Sequence, residues 1–225
     1  MDTSTFVGTV GVLRDGELLA EWSASVRASH GETLLPHVAR VLELAQLSMA
    51  EIDALAVGIG PGSFTGVRIG VATAKGLALA QGVPLVGVTS LRVLARGLLG
   101  EAGLRVVLVD AYKGEVYAAA YALADSGALE ERVAPFHAPP LETAQRLLAA
   151  APEGPLWLAG NGLARYPELL PALGARARRA PPLCDVPRAA CLAHEAQLQL
   201  LQHGPSDLAR LEPLYLRPSD AKLPT

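Results

Sequence analysis

The stretch Gly58-Ile59-Gly60-Pro61-Gly62-Ser63-Phe64-Thr65-Gly66-Val67-Arg68-Ile69-Gly70 limits what this 225-residue chain can fold into more than any other. It follows the short apolar run Leu55–Ile59, which reads as a buried strand, and it opens a helix that runs to about Gln81, with Gly82 at its end and Pro84 just beyond. A strand that feeds a helix through a glycine loop is one arm of an α/β unit. The free N–H groups at such a helix start can hold an anion. Ser63 and Thr65 add hydroxyls and potential caps, and Arg68 adds charge one turn in. Gly60, Gly62, Ser63, Thr65 and Arg68, with Asp2 near the other end of the same half, are therefore candidate phosphate or nucleotide contacts. A tight strand-to-helix turn, with glycines where backbones approach closely, accounts for the same residues equally well. The loop is not a P-loop, because no Gly-Lys-Ser/Thr closes it, and its glycines do not keep the dinucleotide spacing.

The helix after the loop carries Gly66, Gly70, Ala74 and Ala78 at every fourth position, with Ala72, Gly76 and Ala80 beside them. Such a stripe lets another backbone approach closely. It can pack on the chain's own sheet. The reading taken here is a helix–helix contact between subunits, with Leu34, Leu35, Val38 and Val41 on the helix Thr33–Leu47 supplying an apolar face.

Along the chain, Phe6–Leu13 and Glu17–Val26 read as a hairpin turned at Asp15-Gly16. Ser48 to Glu51 has capping-box form. Pro84–Val88 reads as a strand, and Ser90 is expected to cap a helix to Leu99. The pattern then restarts. Arg105–Val109 is a strand ending in Asp110, Glu115–Ala122 its hairpin partner, Leu141–Ala150 a helix and Pro155–Ala159 a strand closed by Gly160-Asn161-Gly162. Ala164–Leu173 reads as a helix, Arg176–Pro187 as a loop and Pro187–Gln202 as a helix. Both halves open on a hairpin and pass into βα alternation. The expectation is a two-lobed α/β protein with a first lobe at 1–101 and a smaller second lobe at 102–225, whose tail from Leu208 packs back on the first lobe. Asp2 and Asp110 hold corresponding places, where a carboxylate could hold Mg²⁺ or serve as a turn residue.

Composition removes several function classes. With 51% hydrophobic and 18% charged residues the chain is not disordered, and a net charge of −3 with 4% aromatics does not suit a general nucleic-acid binder or a base-stacking platform. The apolar region Gly82–Gly100 is interrupted by Arg92 and Arg96, so no membrane span is expected. Asp2-Thr3 after Met1 is not a signal peptide, and Cys184 and Cys191 fit a reducing compartment, so a cytoplasmic location is expected. The five histidines, His30, His37, His137, His194 and His203, offer no pair at helical spacing for a metal. Ser63 lies in no Gly-x-Ser-x-Gly elbow.

Asp2-Thr3-Ser4-Thr5, Gly58–Gly70, Gly76-Leu77-Ala78 and Pro84–Leu91 together resemble the TsaB/YeaZ family of tRNA threonylcarbamoyladenosine (t6A) biosynthesis proteins. Asp110-Ala111 with Glu115-Val116-Tyr117, Leu158–Leu163 and Pro213–Arg217 resemble the family's later landmarks, so the likeness spans nearly the whole chain. The resemblance implies the actin-like, Hsp70-like and sugar-kinase-like (ribonuclease H-like) ATPase fold. It implies a non-catalytic subunit that supports a metal-bearing TsaD-type paralogue, which modifies adenosine 37 of tRNAs reading ANN codons, together with a TsaE-type ATPase. It implies homodimers through first-lobe helices when the chain is alone, tRNA contact through the assembly, no cofactor of the chain's own, and any nucleotide at the subunit junction. The paralogue's His-x-x-x-His pair is absent from this sequence. The rival expectations are a small-molecule kinase or ATPase using the Gly60–Gly66 loop and Asp2, and a glycoprotease-like hydrolase. Two departures stand out. Asp2-Thr3-Ser4 replaces the usual Asp-x-Gly, and only Met1 precedes Asp2 where the family carries an apolar strand. The first sheet is therefore expected to be short of a strand segment at its edge or centre, or the start to be set too late.

Overall fold

A computed structural model describes residues 1–25, 30–98, 102–151 and 153–217. The first half opens with β1 (Val7–Arg14) and β2 (Glu17–Ser25), an antiparallel hairpin turned at Asp15-Gly16, where both residues take positive φ. Helix α1 (His30–Leu44), strand β3 (Leu55–Gly58), helix α2 (Phe64–Gln81), strand β4 (Leu85–Val88) and helix α3 (Ser90–Arg96) follow. The second half has β5 (Leu104–Asp110), β6 (Val116–Leu123), β7 (Leu129–Ala138), α4 (Pro140–Ala150), β8 (Leu156–Ala159), the short α5 (Gly162–Arg165) and α6 (Leu169–Ala172), β9 (Ala177–Arg179) and α7 (Ala189–His203).

The second half forms one five-stranded sheet in the order β7-β6-β5-β8-β9, antiparallel on the hairpin side of β5 and parallel on the other. The first half repeats this plan. β1 and β2 are antiparallel, and β3 and β4 are parallel. Met1 and Asp2 lie between the pairs, where β5 lies in the other sheet. Asp2 exchanges backbone hydrogen bonds of 2.9 Å with Thr9 of β1. On its other side Gly58 N–H donates to the Met1 carbonyl at 3.0 Å and the Met1 ammonium donates to the Ala56 carbonyl at 2.9 Å. The short strand segment is thus central, not at an edge. The repeated hairpin-then-parallel plan is the duplicated α/β architecture of the actin-like, Hsp70-like fold.

Helices α1 and α2 cover the outer face of the first sheet, where Leu34, Val41, Val67, Val71, Ala74 and Ala78 meet Val10, Val57 and Leu85. Helices α4 to α6 cover the outer face of the second sheet. Between the sheets lie α3 and α7. Leu91, Leu94 and Ala95 of α3 pack on Val107, Val109, Ala119 and Tyr121, while Leu192 and Ala196 of α7 pack on Val86, Val88 and Val93. Although it is C-terminal to the boundary at residue 101, α7 lies on the first sheet. The segment after it also returns there: Ser206 N–H donates to the Leu85 carbonyl at 2.9 Å and Leu214 N–H to the Ile59 carbonyl at 2.7 Å.

Several local expectations differ from the structure. The cap of α3 is Thr89, whose hydroxyl accepts from Arg92 N–H, and Ser90 is the first helical residue. The expected helix Ala164–Leu173 is broken into α5 and α6 around Pro167, because a residue ahead of proline leaves the helical region. The expected loop Arg176–Pro187 contains β9 and a short 3₁₀ turn at Pro182–Asp185. Strand β7 was not expected at all. As an edge strand it carries the consecutive exposed charges Glu130, Glu131 and Arg132, and Pro135 interrupts its apolar part, so no strand-like alternation marks it.

Burial at the centre of the first sheet drives the Met1 α-ammonium down from 8.0 to about 6. Folding of the chain starting at Met1 then sheds a proton between those pH values. The unfolded chain binds more protons there, so stability rises as pH increases from 6 to 8. The expected gain is about 2–3 kcal/mol, read by urea unfolding at each pH. An N-terminally acetylated chain lacks this component, and an equal rise in both would overturn the assignment.

Candidate functional site

The glycine loop is held by the first residues of the chain. Ser63 N–H donates to the Ser4 carbonyl at 2.7 Å, and the Thr3 hydroxyl donates to the Gly66 carbonyl at 2.7 Å. Gly60 N–H donates to Ser90 Oγ at 3.2 Å, and Ser90 Oγ donates to Asp2 Oδ2 at 2.7 Å. Asp2 Oδ1 accepts Ser4 N–H at 2.7 Å. Asp2 and Thr3 are fully buried and Ser4 nearly so.

These contacts explain the glycines. A Cβ on Gly58 would stand 1.9 Å from Asp2 Oδ2, on Gly62 2.2 Å from the Ser4 carbonyl, on Gly66 2.1 Å from the Thr3 carbonyl and on Gly70 2.4 Å from Thr3 Oγ1. The faces of the loop that could cradle a phosphate are occupied by the chain's own Asp2-Thr3-Ser4. Gly60 N–H is taken by Ser90 Oγ, Ser63 N–H by the Ser4 carbonyl, and Asp2 is engaged by Ser90 and Ser4. A phosphate on these faces would have to displace Asp2-Thr3-Ser4.

Of the remaining loop candidates, Thr65 is exposed at the helix start. Arg68 faces away from the loop. Its guanidinium lies 3.7 Å from the Phe64 ring centroid and its Nε donates to the Tyr215 hydroxyl at 2.6 Å. Phe64 and Tyr215 are both partly exposed, so this is a surface stack that ties α2 to the C-terminal segment. The loop does use two of the predicted devices. Ser63 caps α2 by accepting Gly66 N–H, and Gly82 closes it in the left-handed conformation.

The small-residue stripe also faces inward. Gly66 and Gly70 meet Thr3, and Ala74 and Ala78 are buried in the first-sheet core with Leu34 and Val41. Val38 packs against the same core. These seven residues are therefore committed within the chain, and the expectation that they meet a partner is corrected on that point. Only Leu35 of the expected interface set is exposed, at 52%. Helices α1 and α2 instead present Leu35, Leu44 and Leu79 to solvent. The sequence pattern identified a close helix contact but not its partner, which is the chain's own N-terminal segment.

The second half repeats the turn. Gly160, at positive φ, has no room for a Cβ, which would stand 2.1 Å from the Leu108 carbonyl, and its N–H donates to Asp185 Oδ1 at 2.7 Å. Asp110 N–H donates to Asn161 Oδ1 at 2.9 Å, and Asp110 Oδ1 accepts from Tyr112 N–H at 2.9 Å and from the Tyr166 hydroxyl at 3.0 Å. Burial raises the Asp185 carboxyl above the usual carboxylate range. Sequence reading named Asp110 and the Gly160–Gly162 turn but not Asp185 or Tyr166. Both are distant in sequence and carry no local motif.

Among the described residues, no three His, Cys, Asp or Glu side chains stand together as metal ligands. No helix among them is long and apolar enough to cross a membrane.

The profile of the family described as "TsaD: tRNA N6-adenosine threonylcarbamoyltransferase" matches residues 21–155. The protein named "tRNA threonylcarbamoyladenosine biosynthesis protein TsaB" of Escherichia coli is 41% identical over 129 residues, which is 56% of this chain and 55% of that protein. The chain belongs to the TsaB/YeaZ family. Bacillus subtilis TsaB is 34% identical over 133 residues, 59% of this chain and 58% of that one. The match thus spans little more than half the length of these curated TsaB relatives. In structure the likeness is longer. YeaZ from Pseudomonas aeruginosa superposes with a TM-score of 0.81 at 29% identity, over 96% of this chain and 97% of the other. The turn built from Asp2-Thr3-Ser4 and the Gly58–Gly70 loop therefore sits in a TsaB/YeaZ fold.

Proposed function

We propose that this chain is a non-catalytic subunit of t6A biosynthesis. In this reading it supports a TsaD-type paralogue that threonylcarbamoylates adenosine 37 in tRNAs reading ANN codons. One observation carries the reading within the family: the loop that would serve a phosphate is filled by the chain's own Asp2-Thr3-Ser4. That makes the loop a packing device and leaves the chain's surface for assembly. The solvent-facing side chains of α1 and α2, Leu35, Leu44 and Leu79, are the proposed contact with the paralogue or, when the chain is alone, with a second copy. A TsaE-type ATPase joins the same assembly, which also holds the tRNA. The net charge of −3 favours RNA contact through the assembly over contact by this chain alone. No cofactor is assigned to the chain itself, and a nucleotide in the assembly belongs to the subunit junction. The compartment is the cytoplasm, where tRNA is modified.

Reconstitution with the paralogue, the ATPase, threonylcarbamoyl-adenylate and unmodified tRNA tests the proposal, with t6A read by nucleoside mass spectrometry. Omitting this chain is expected to reduce t6A at least ~100-fold, a loss of about 2.7 kcal/mol of effective activation. The doubly substituted Leu35→Asp, Leu79→Asp chain is expected to stay folded, because both side chains are solvent-exposed, but to lose co-purification and most t6A. Full modification without the chain would overturn the role. ATP turnover by the isolated chain would support a kinase or ATPase instead.

A further inference from the structure

The second sheet ends in two edges of unlike charge. On β7 the exposed charges are mixed: Arg132 pairs with Glu130 at 2.6 Å and Glu131 stands between them. On β9, at the other end, every charge is positive: Arg178 and Arg179 lie in the strand and Arg176 in the 3₁₀ turn just ahead of it. Charges on an edge strand guard it against pairing with another chain, and a mixed set does that as well as a set of one sign. Residues 174–185 hold three arginines against one aspartate, a balance of +2 that leaves −5 for the rest of a chain whose net charge is −3. Four strand spacings set the two edges of this five-stranded sheet roughly 19 Å apart, more than two Debye lengths at physiological salt, so the glutamates of β7 do not cancel the β9 cations.

The β9 guanidiniums are held but not neutralised. Arg176 Nη1 donates to the Gly154 carbonyl at 3.3 Å. Arg178 Nη1 donates to the carbonyls of Ala175 at 2.5 Å and Ala177 at 3.0 Å. Among the described residues neither arginine meets a carboxylate, and the Nε and Nη2 donors of each fork stay undirected by the chain. Arg179 differs, since its Nη2 donates to Asp185 Oδ2 at 2.7 Å and so ties the strand to the following turn. A guanidinium fixed by a neutral carbonyl keeps its full charge and has less freedom to lose when it meets an anion. Arg178 also stands in register beside Trp157 of β8, whose partly buried indole donates to the Ala102 carbonyl at 3.1 Å. A cation flanked by an aromatic on one sheet face is the pairing that RNA-binding surfaces combine. Planar forks in a row suit the repeated oxyanions of a phosphate backbone better than a lone ion.

We propose that the β9 edge, through Arg176 and Arg178, holds the sugar–phosphate backbone of the tRNA bound by the assembly. This rests on the reading of the chain as a t6A subunit. Phosphate contacts position an RNA without reading its sequence, so this edge orients the tRNA and does not select it. Two such contacts are weak by themselves in a chain of net charge −3 and act on an RNA that the assembly already holds.

The test compares Arg176→Gln, Arg178→Gln with Arg14→Gln, Arg132→Gln, which removes the same charge from two exposed positions elsewhere. Both variants are expected to keep Tm and co-purification with the paralogue. In the assembled complex the first is expected to bind unmodified tRNA about tenfold more weakly at about 100 mM salt, with the slope of log K against log salt reduced by about 1.5, and the second to leave the slope unchanged. Arg176→Lys, Arg178→Lys is expected to restore the slope. A further measurement needs no assembly: at about 20 mM salt, unmodified tRNA is expected to shift the amide resonances of Ala177–Arg179 in the isolated chain and not those of Glu130–Arg132. An unchanged slope in a complex whose t6A still requires the chain would overturn the proposal and leave the subunit reading standing. Full t6A without the chain would overturn that reading instead, and the resonance shifts then still decide whether the edge meets RNA. Loss of co-purification by the first variant with its salt slope intact would also overturn the proposal, because it assigns the edge to an acidic protein surface.

Discussion

Glu195→Ala is expected to destabilise the protein by about 3–5 kcal/mol, because it leaves two largely buried guanidiniums without their shared carboxylate. Glu195 lies on α7 with no exposed surface. Arg92 Nε donates to its Oε2 at 2.5 Å, and Arg96 donates to its Oε1. Both arginines come from α3 and are themselves only 20% and 13% exposed. Each also reaches the second sheet: Arg92 donates to the Leu129 carbonyl and Arg96 to the Gly127 carbonyl, both at 2.8 Å. One carboxylate therefore joins a helix on the first sheet to a helix and a strand end on the second. Urea unfolding of the variant is expected to show the full loss, with Tm lower by roughly 10 °C. Glu195→Gln keeps hydrogen-bond acceptance without the charge and is expected to recover part of it. A loss below about 1 kcal/mol for alanine would show that water replaces the carboxylate and that the clamp is weak.

Gly66→Val is expected to cost at least about 3 kcal/mol and to detach the N-terminal residues from the first sheet. Its Cβ would stand 2.1 Å from the Thr3 carbonyl, a backbone atom that cannot turn aside as a side chain can. Relief requires moving Met1–Ser4, which releases the Ser4–Ser63, Thr3–Gly66 and Asp2–Thr9 hydrogen bonds together. Gly70→Leu should act the same way through Thr3 Oγ1 and destabilise the chain. Gly76 on the same helix is the control. It is exposed, and a Cβ there meets nothing within 4 Å, so Gly76→Ala is expected to stabilise by roughly 0.5–1 kcal/mol. Hydrogen exchange of the Thr9 and Gly58 amides separates loss of the N-terminal strand segment from global unfolding. Unchanged protection in Gly66→Val would sink the account.

Much of the fold was legible because short-range chemistry sets it. The Asp15-Gly16 turn, the Ser63 and Gly82 caps and the capping box at Ser48 and Glu51 are satisfied within a few residues of chain, and each appears as read. Edge strand β7 was not legible, since the charged run Glu130-Glu131-Arg132 and Pro135 break the alternation that marks a strand. The break between α5 and α6 had a local signal in Pro167, which outweighs the helical spacing around it. The candidate site was legible only in part. The Gly58–Gly70 motif announced a close approach of backbone to helix, but a phosphate, a second subunit and the chain's own N-terminus ask for the same small residues.

The sequence by itself determined the duplicated α/β plan, the glycine-loop helix and the resemblance to one family, because periodicity, caps and turn residues are local and cooperative. Tertiary structure decided what the glycines touch. Thr3, 63 residues away from Gly66, fills the loop, and Gly70 and Ala74 turn inward with it. It also decided that α7 returns to the first sheet and that Glu195 meets Arg92 and Arg96. Such contacts depend on which surfaces remain to be buried once every local element has formed, and no window of sequence contains that sum.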